Sequence, residues 1–326
     1  MNKIAFITGI SGMDSSHLAE FLLEKSYKVF GLLRRSSTDN TWRIRKILDK
    51  IEIINGDLGD QSSLDKAINI VKPDECYHLG AQSFVQHSFE APEYTINVTG
   101  LGTLRLLEAI KNHKKDCKIF FAGSSEQFGK VQESPQTETT SFYPRSPYGI
   151  AKVMGFNICR NYRESYNMFI SNAISFNHCS HRRGLEFVER KISYGVAKIY
   201  LKMADCIELG NLDSKRDWGW APEYCEYFWK MLQLDKPDDF VLATGETHSI
   251  REFLETAFES VEIYNWQDYV KQNPKFMRPA EVDYLLGDAR KAKEILGWEH
   301  KTSFKELINI MVDADLTRLR RGDRYE

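Results

Sequence analysis

The sequence predicts an α/β protein: a Rossmann-type doubly wound parallel sheet with a smaller mixed lobe drawn mainly from the C-terminal half. Three observations predict it. Short apolar runs alternate with helical patterns through residues 1–175. The first run leads straight into a glycine turn and a helix. From Phe187 onward the alternation gives way to a less regular mixture.

The elements follow in order. Lys3–Thr8 reads as a strand, Gly9-Ile10-Ser11-Gly12-Met13-Asp14 as the turn, and Leu18, Phe21, Leu22 and Tyr27 as the apolar side of a helix. Gly9 permits the tight turn, and Gly12 lets a pyrophosphate approach the helix N-terminus. Ser15 stands at the third glycine position of the common GxxGxxG spacing. Lys28–Leu33 is the second strand, ending in Arg34-Arg35-Ser36-Ser37. Ile51–Asn55 is the third, ending at Gly56-Asp57-Leu58, where a polar residue can meet an adenine edge. A helix through Leu64, Ala67, Ile68 and Val71 stops at Pro73. Glu75–Leu79 is the fourth strand, and Gly80-Ala81-Gln82-Ser83 a small-residue turn beside the phosphates. A long helix is expected from Pro92 to His113, with Leu101, Leu104, Leu107 and Ile110 on one face. Cys117–Ala122 is the fifth strand, a helix runs on past Lys152 to Tyr166, and Phe169–Ser175 is the sixth strand. Parallel strands need crossover helices, so these units share one sheet whose strand ends open on one crevice. The expected division is a dinucleotide-binding domain over 1–175 and a ligand-binding lobe mainly over 176–326. Later segments such as 240–244 are candidates to complete the sheet; helices are expected over Pro222–Leu234 and from Ile250.

Composition narrows the function. The chain has 326 residues, 42% hydrophobic and 28% charged, the balance of a soluble globular protein. Lys+Arg is 44 against Asp+Glu 46, so no bulk basicity points to nucleic acid. No apolar run is long enough to span a bilayer, so no membrane association is expected. The six cysteines lie at 76, 117, 159, 179, 206 and 225 without CxxC or zinc-ligand spacing, and read as reduced thiols. A first strand at Lys3 leaves no room for a signal peptide, so the expected compartment is the cytoplasm.

The chemistry centres on Ser124-Ser125-Glu126, at the end of the fifth strand, with Tyr148 and Lys152 about twenty residues on. Tyr148 and Lys152 are four apart and share a helix face. An ammonium there is expected to lower the tyrosine pKa toward neutrality and make it a general base on a hydroxyl. Ser124 could hold that hydroxyl, and Glu126 adds a second acid/base group. Alone, a Tyr-x-x-x-Lys spacing is equally a solvated helix face. At the second strand's end an NAD-binding protein would carry an acid; Arg34, Arg35 and two hydroxyls suit the 2′-phosphate of NADP. Asn177-His178-Cys179-Ser180-His181-Arg182-Arg183-Gly184 reads as a source of anion contacts, and no metal site is expected.

Taken with Glu138-Thr139-Thr140, Phe142-Tyr143-Pro144-Arg145-Ser146-Pro147-Tyr148, Arg190-Lys191-Ile192, Arg216–Gly219 and Arg278–Asp283, these runs resemble the GDP-mannose 4,6-dehydratases, within the extended short-chain dehydrogenase/reductases. The likeness covers nearly the whole chain. It implies NADP-dependent dehydration of a GDP-linked sugar through a 4-keto intermediate with internal hydride return. It implies catalytic roles for Ser124, Glu126, Tyr148 and Lys152. Cofactor contacts are implied for Gly9, Ile10, Ser11, Gly12, Met13, Asp14, Arg34, Arg35, Asp57, Leu58, Leu79, Gly80, Ala81, Gln82, Ser83, Tyr94, Lys152, His178 and Arg183. Nucleotide-sugar contacts are implied for Ser83, Asn177, Lys191, Arg216, Arg278 and Glu281. A homodimer or homotetramer is also implied.

The chain departs from the family pattern at several positions. Serine replaces threonine at 124 and glycine at 15; Gln127 replaces leucine, Phe128 tyrosine, Cys179 glutamate and His181 proline. Trp220 and Glu223 stand where the family reads His and Asp. Several of these are expected to line the sugar end, where GDP-manno-heptose would need a reshaped pocket. A reductase or epimerase of the same fold would need Tyr148 and Lys152 but not Glu126. A non-catalytic NADP-binding module would need none of the four.

Overall fold

Alternating apolar runs can be buried on both faces only if helices cover both sides of the sheet. The computed structural model, which describes residues 2–277, 279–280, 282 and 284–322, has that arrangement. The elements are β1 (Ile4–Thr8), α1 (Met13–Glu24), β2 (Lys28–Leu33), β3 (Glu52–Asn55), α2 (Gln61–Val71), β4 (Glu75–His78), α3 (Val85–Glu90), α4 (Pro92–Thr95), α5 (Gly102–His113), β5 (Lys118–Ser124), α6 (Pro147–Tyr166) and β6 (Ile170–Ser175). They continue with β7 (Asn177–Cys179), α7 (Val188–Tyr200), β8 (Ile207–Leu209), β9 (Lys215–Arg216), β10 (Trp218–Trp220), α8 (Ala221–Gln233), β11 (Asp239–Leu242), β12 (His248–Ser249), α9 (Ile250–Glu259), β13 (Val270–Gln272), α10 (Arg290–Leu296) and α11 (Phe304–Arg321). The main sheet has seven strands in the order β11-β6-β5-β4-β1-β2-β3. All its pairs are parallel. The fold class is therefore the doubly wound one that the sequence predicts.

Strand alternation divides the core. Phe6, Ile119, Phe121 and Ile174 face Leu106, Leu107 and Ile110 of α5 and Phe156 of α6. Ala5, Ile7, Phe120 and Ala173 face Leu18 and Leu22 of α1 and Phe228 and Met231 of α8. A third cluster, around Ile192, Val196, Phe253, Leu254, Leu307 and Met311, unites α7, α9 and α11. There the fully buried Arg190 pairs with Asp315 at 2.5 Å, and Ser193 Oγ donates to the same carboxylate at 2.7 Å. Breaking such a pair leaves a buried charge uncompensated, which typically costs several kcal/mol.

Three local expectations need correction. Tyr27 lies beyond α1 and packs as a buried residue before β2. The helix expected over 92–113 contains a π turn at Ile96–Leu101, and α3 precedes it unforeseen. The π turn rotates the register, so Leu106 is buried while Leu101 and Leu104 are only partly covered. The strand expected over 240–244 ends at Leu242.

Candidate active site

The β1–α1 turn is fixed by its glycines. Gly9 adopts φ +68°, and a Cβ there would lie 2.8 Å from Gly80 Cα. Gly12 caps α1 without a side chain, so no side chain of the cap occupies the N–H groups of the first turn. The facing turn is held by Thr8, whose Oγ1 accepts from the amides of Leu79 (3.1 Å) and Gly80 (2.9 Å). With its acceptor role filled, that hydroxyl donates to His78 Nδ1 at 2.8 Å, and His78 Nε2–H then donates to Thr103 Oγ1 at 3.1 Å. Burial, aided by the Lys152 charge, pushes His78 down to about 3, so the ring stays neutral in this tautomer. His78 was not singled out by the sequence. Thr8, four residues from Gly12 and beside it in space, was the available cue.

The reacting end is built by β5 and α6. Ser124 caps a 3₁₀ turn: its Oγ accepts from Glu126 N at 3.3 Å, while Gln127 Oε1 accepts from Ser124 N at 2.8 Å. Gln127 thus fastens the backbone that carries both Ser124 and Glu126. Ser146 caps α6 by accepting from Gly149 N at 3.0 Å, and Pro147 occupies the first helical position. Gly149 lets α6 close on the 3₁₀ turn, since a Cβ there would lie 2.7 Å from the Glu126 carbonyl oxygen. The Ser124 hydroxyl lies close enough to Tyr148 to favour its phenolate. Lys152 Nζ donates to Ala122 O at 2.6 Å and lies 5.8 Å from the Tyr148 ring centroid.

The expected drop of the tyrosine pKa toward neutrality is not what this site has. Burial pushes Tyr148 up to about 12; the Ser124 hydroxyl works downward and the nearby Glu126 charge upward. Burial also brings Lys152 down to about 8. For both groups desolvation is the largest effect.

One cavity of about 860 Å³ joins the glycine turn to this end. It is lined by Gly9, Ser11, Gly12, Met13, Asp14, Arg34, Asp57, Leu58, Leu79, Gly80, Ala81, Ser83, Tyr94, Ser124, Glu126, Tyr148, Lys152, Asn177, His178, Arg183, Lys191 and Arg216. Three expected residues lie elsewhere. Ile10 is buried beneath Gly31. Gln82 spends its side chain on Phe84 and Thr95, pinning the loop. Arg35 lines a neighbouring cavity of about 270 Å³ with Ser36 and Ser37. Arg278 and Glu281 lie outside the described residues.

Within the cleft, Arg34 donates to Tyr94 Oη at 3.0 Å. His178 Nε2 meets Asp14 Oδ2 at 3.0 Å, and Nδ1 meets Phe176 O at 2.8 Å. Burial would raise Asp14, but the charge and hydrogen bond of His178, with Arg183 behind them, hold it below the usual carboxylate range. The Arg183 guanidinium stacks on Phe187 at 3.8 Å, and Phe187 meets Phe84 edge-on at 5.5 Å. Lys191 Nζ sits 3.3 Å from the Phe276 ring centroid. Sequence reading missed Phe84, Phe187, Glu189 and Phe276, because only the fold brings these segments to one cleft. Burial lowers the Lys191 pKa. Arg34, Arg43, Lys152, Arg183, Lys191 and Arg216 line the cleft of a chain with formal net charge −2, so attraction for an anion is local.

Four of the departures turn out to face away from the cleft. Cys179 Sγ packs on Met311 Sδ. His181 and Trp220 form a ring cluster with His17, at 6.0 Å from each other and 5.9 and 6.3 Å from His17. Glu223 accepts from Thr302 N and Oγ1 and from Lys301 N. Arg182 is engaged by Glu20 through two 2.8 Å bonds. The expectation that the changed residues reshape the sugar end does not hold for Cys179, His181, Trp220 and Glu223. Ser124 and Ser15 do reach the cleft.

A doubly wound parallel sheet with a Tyr-x-x-x-Lys helix at its carboxyl edge makes this a Rossmann-type α/β protein. Solved structures agree on the fold. The dTDP-glucose 4,6-dehydratase DesIV of Streptomyces venezuelae, solved with NAD, superposes with a TM-score of 0.87 over 98% of both chains at 20% identity. The UDP-glucose 4-epimerase of Thermus thermophilus, also with NAD, gives 0.84 over 96% of this chain and 98% of that one at 24% identity. The family is narrower than the fold. Residues 6–311 match the model of the GDP-mannose 4,6 dehydratase family. The human GDP-mannose 4,6 dehydratase is 50% identical, covering 98% of this chain and 92% of the relative. The Drosophila melanogaster enzyme is 49% identical over 98% and 88%. The chain belongs to the GDP-mannose 4,6 dehydratase family.

Proposed function

We propose that this protein is an NADP-dependent hydro-lyase that converts a GDP-linked sugar, GDP-mannose or GDP-manno-heptose, into its 4-keto-6-deoxy derivative. One observation carries the reading. Ser124, Glu126, Tyr148 and Lys152 converge at one end of a cavity whose other end is a glycine turn, in a chain half identical to GDP-mannose 4,6 dehydratases.

The residues present fit a nicotinamide dinucleotide. Asp14 Oδ1, Ser175 Oγ and Ser214 Oγ belong to residues lining the cleft, are buried, and lack a hydrogen-bond partner among the described residues. Buried polar atoms left this way are unfavourable unless a ligand meets them. The turn at Gly9–Asp14 would hold the pyrophosphate, and Arg34 and Arg35 the 2′-phosphate, which favours NADP over NAD. A bound nicotinamide would supply a reversible hydride acceptor, for oxidation at carbon 4 of the sugar and reduction at carbon 6. Tyr148 takes the proton of the 4-hydroxyl, which Ser124 orients. Lys152, anchored on Ala122 O, supplies positive charge on the same helix face. The resulting ketone acidifies carbon 5. Glu126 removes that proton and protonates the departing 6-hydroxyl, which leaves as water; once carbon 6 is reduced, the proton that Tyr148 took from the 4-hydroxyl, exchangeable with solvent, restores carbon 5. Asn177, Lys191 and Arg216 would meet the nucleotide sugar, and guanidinium groups match a diphosphate in charge and geometry. Arg278 and Glu281 keep their implied roles as part of this reading.

GDP-mannose is the first substrate to test, because four of the departures thought to favour a heptose point away from the cleft. Incubation with GDP-mannose, and separately with GDP-manno-heptose, should give a product lighter by one water without net consumption of NADP. A product of unchanged mass would indicate epimerisation, stoichiometric use of NADPH a reductase, and no conversion a binding module; each outcome rejects the dehydratase. Among the described residues no helix is long and apolar enough to cross a membrane. Six free thiols, five of them buried, support the cytoplasm as the compartment. Assembly as a homodimer or homotetramer belongs to the same reading, and light scattering on the purified protein tests it.

A further inference from the structure

The parallel ladder between β5 and β6 ends on the pair Ser124 and Ser175. Residues paired in a parallel sheet carry their side chains on the same face, one strand spacing apart, about 4.8 Å. Ser124 acts on the Tyr148 phenol, so Ser175 stands one strand away from the serine that serves the reacting hydroxyl. It is 6% exposed, it lines the cleft, and its Oγ has no hydrogen-bond partner among the described residues.

The other serine hydroxyls of this strand and of the turn after β7 are engaged. Ser171 Oγ, on the same strand, accepts from Asp238 N, and Ser180 Oγ meets His17 and the amide of Arg182. Two residues earlier on β6 the position is Ala173, which packs in the core without a polar atom. A buried hydroxyl left alone is unfavourable. At the carboxyl end of a strand, beside a ligand cleft, it marks a ligand contact. A serine hydroxyl has three staggered χ1 wells to choose from when a ligand arrives.

Sheet order decides which part of the ligand it meets. In a doubly wound sheet a dinucleotide straddles the switch point, here between β1 and β4. Arg34 and Asp57 end β2 and follow β3, so the adenosine half belongs there. β4, β5 and β6 form the other mononucleotide half, and Ser175 closes β6. A serine hydroxyl both donates and accepts, which suits the two ends of a primary amide. We propose that Ser175 hydrogen-bonds the carboxamide of the nicotinamide ring. This rests on the nicotinamide-cofactor reading above.

The test compares NADP with 2′-phospho-ADP-ribose, the same molecule without the nicotinamide, by calorimetric titration of the wild type, Ser175→Ala and Ser175→Thr. Loss of one hydrogen bond to an uncharged partner should weaken NADP binding to Ser175→Ala about two- to tenfold. Binding of 2′-phospho-ADP-ribose should not change, which also shows that the variant is folded. Ser175→Thr, which keeps the hydroxyl, should recover most of the NADP affinity. Unchanged NADP affinity in Ser175→Ala, or equal weakening of both ligands, overturns the assignment. So does a variant that binds NADP normally but loses affinity for GDP-mannose, since the contact is then with the sugar. A wild type that binds neither dinucleotide compound rejects the cofactor reading itself, a failure distinct from the others.

Discussion

Gly149→Ala tests whether the contact between α6 and the 3₁₀ turn sets the catalytic geometry. The new Cβ would stand 2.7 Å from the Glu126 carbonyl oxygen, 3.1 Å from Pro144 Cβ and 3.3 Å from Ser146 Oγ. The first of these is backbone and cannot swing aside. To reach an ordinary contact of 3.4 Å, helix and turn must separate by about 0.7 Å. Overpacking of this size costs ~1–3 kcal/mol. Replacing glycine inside a helix returns ~0.5–1 kcal/mol. The net loss of stability is therefore small, a few degrees in melting temperature for a chain of this size. The rate should respond far more. Tyr148 and Lys152 ride on the helix and Glu126 on the turn, and a misplacement near 1 Å can cost about a hundredfold. We expect kcat for water loss to fall about ten- to a hundredfold, with NADP affinity and melting temperature close to wild type. Thermal melts, cofactor titration and mass-detected turnover measure the three quantities. A variant with wild-type kcat would show that the contact does not govern the geometry, and the reasoning from Gly149 would fail.

Further expectations follow from the same geometry. Glu126→Gln keeps the volume and removes the basicity, so it should oxidise the sugar and accumulate bound NADPH with almost no 6-deoxy product; normal dehydration would remove Glu126 from its role. Deuterium from solvent should enter at carbon 5 in the native enzyme and not in this variant. Replacing both Arg34 and Arg35 with Gln should weaken NADP far more than NAD, and equal losses would reject the 2′-phosphate assignment. Lys152 has its pKa brought from 10.5 to about 8 by burial. The unfolded chain therefore binds more protons between these values, and stability of the unliganded protein should rise with pH across that window. Lys152→Met should flatten the rise and melt higher than wild type at pH 7; a parallel pH curve with a lower melting temperature would contradict the burial argument.

Most of the sheet could be read from the chain because each of its first six strands is a compact apolar run with a turn signal behind it. Lys28–Leu33 and Pro147–Tyr166 carry their own punctuation: Arg34 and Arg35 after the one, the Ser146–Pro147 cap and Asn167 around the other. Elsewhere local pattern was not enough. The π turn at Ile96–Leu101 is invisible to a 3.6-residue period, because Leu101, Leu104 and Leu107 satisfy that period in sequence while the backbone slips by a residue. The departures at Cys179, His181, Trp220 and Glu223 were read as a changed ligand pocket because they flank ligand motifs. In space they co-pack: His17 from α1 completes the ring cluster, and the loop before α11 receives Glu223. Residues that pack on distant parts of the chain look, in one dimension, like changes of specificity.

The catalytic pair shows a different limit. Four-residue spacing correctly places Tyr148 and Lys152 on one helix face, and charge alone then argues for an acidified phenol. Spacing carries no information about solvent. Both side chains are more than nine-tenths buried, and burial opposes the phenolate as strongly as it opposes the ammonium. At rest Tyr148 is a phenol at any ordinary pH, its pKa raised further by the charge of Glu126. In the protein alone Tyr148 is therefore not a ready base. Proton removal by Tyr148 depends on what fills the cleft and changes its field, so the same burial that hides the pair from sequence reasoning ties its basicity to occupancy of the site.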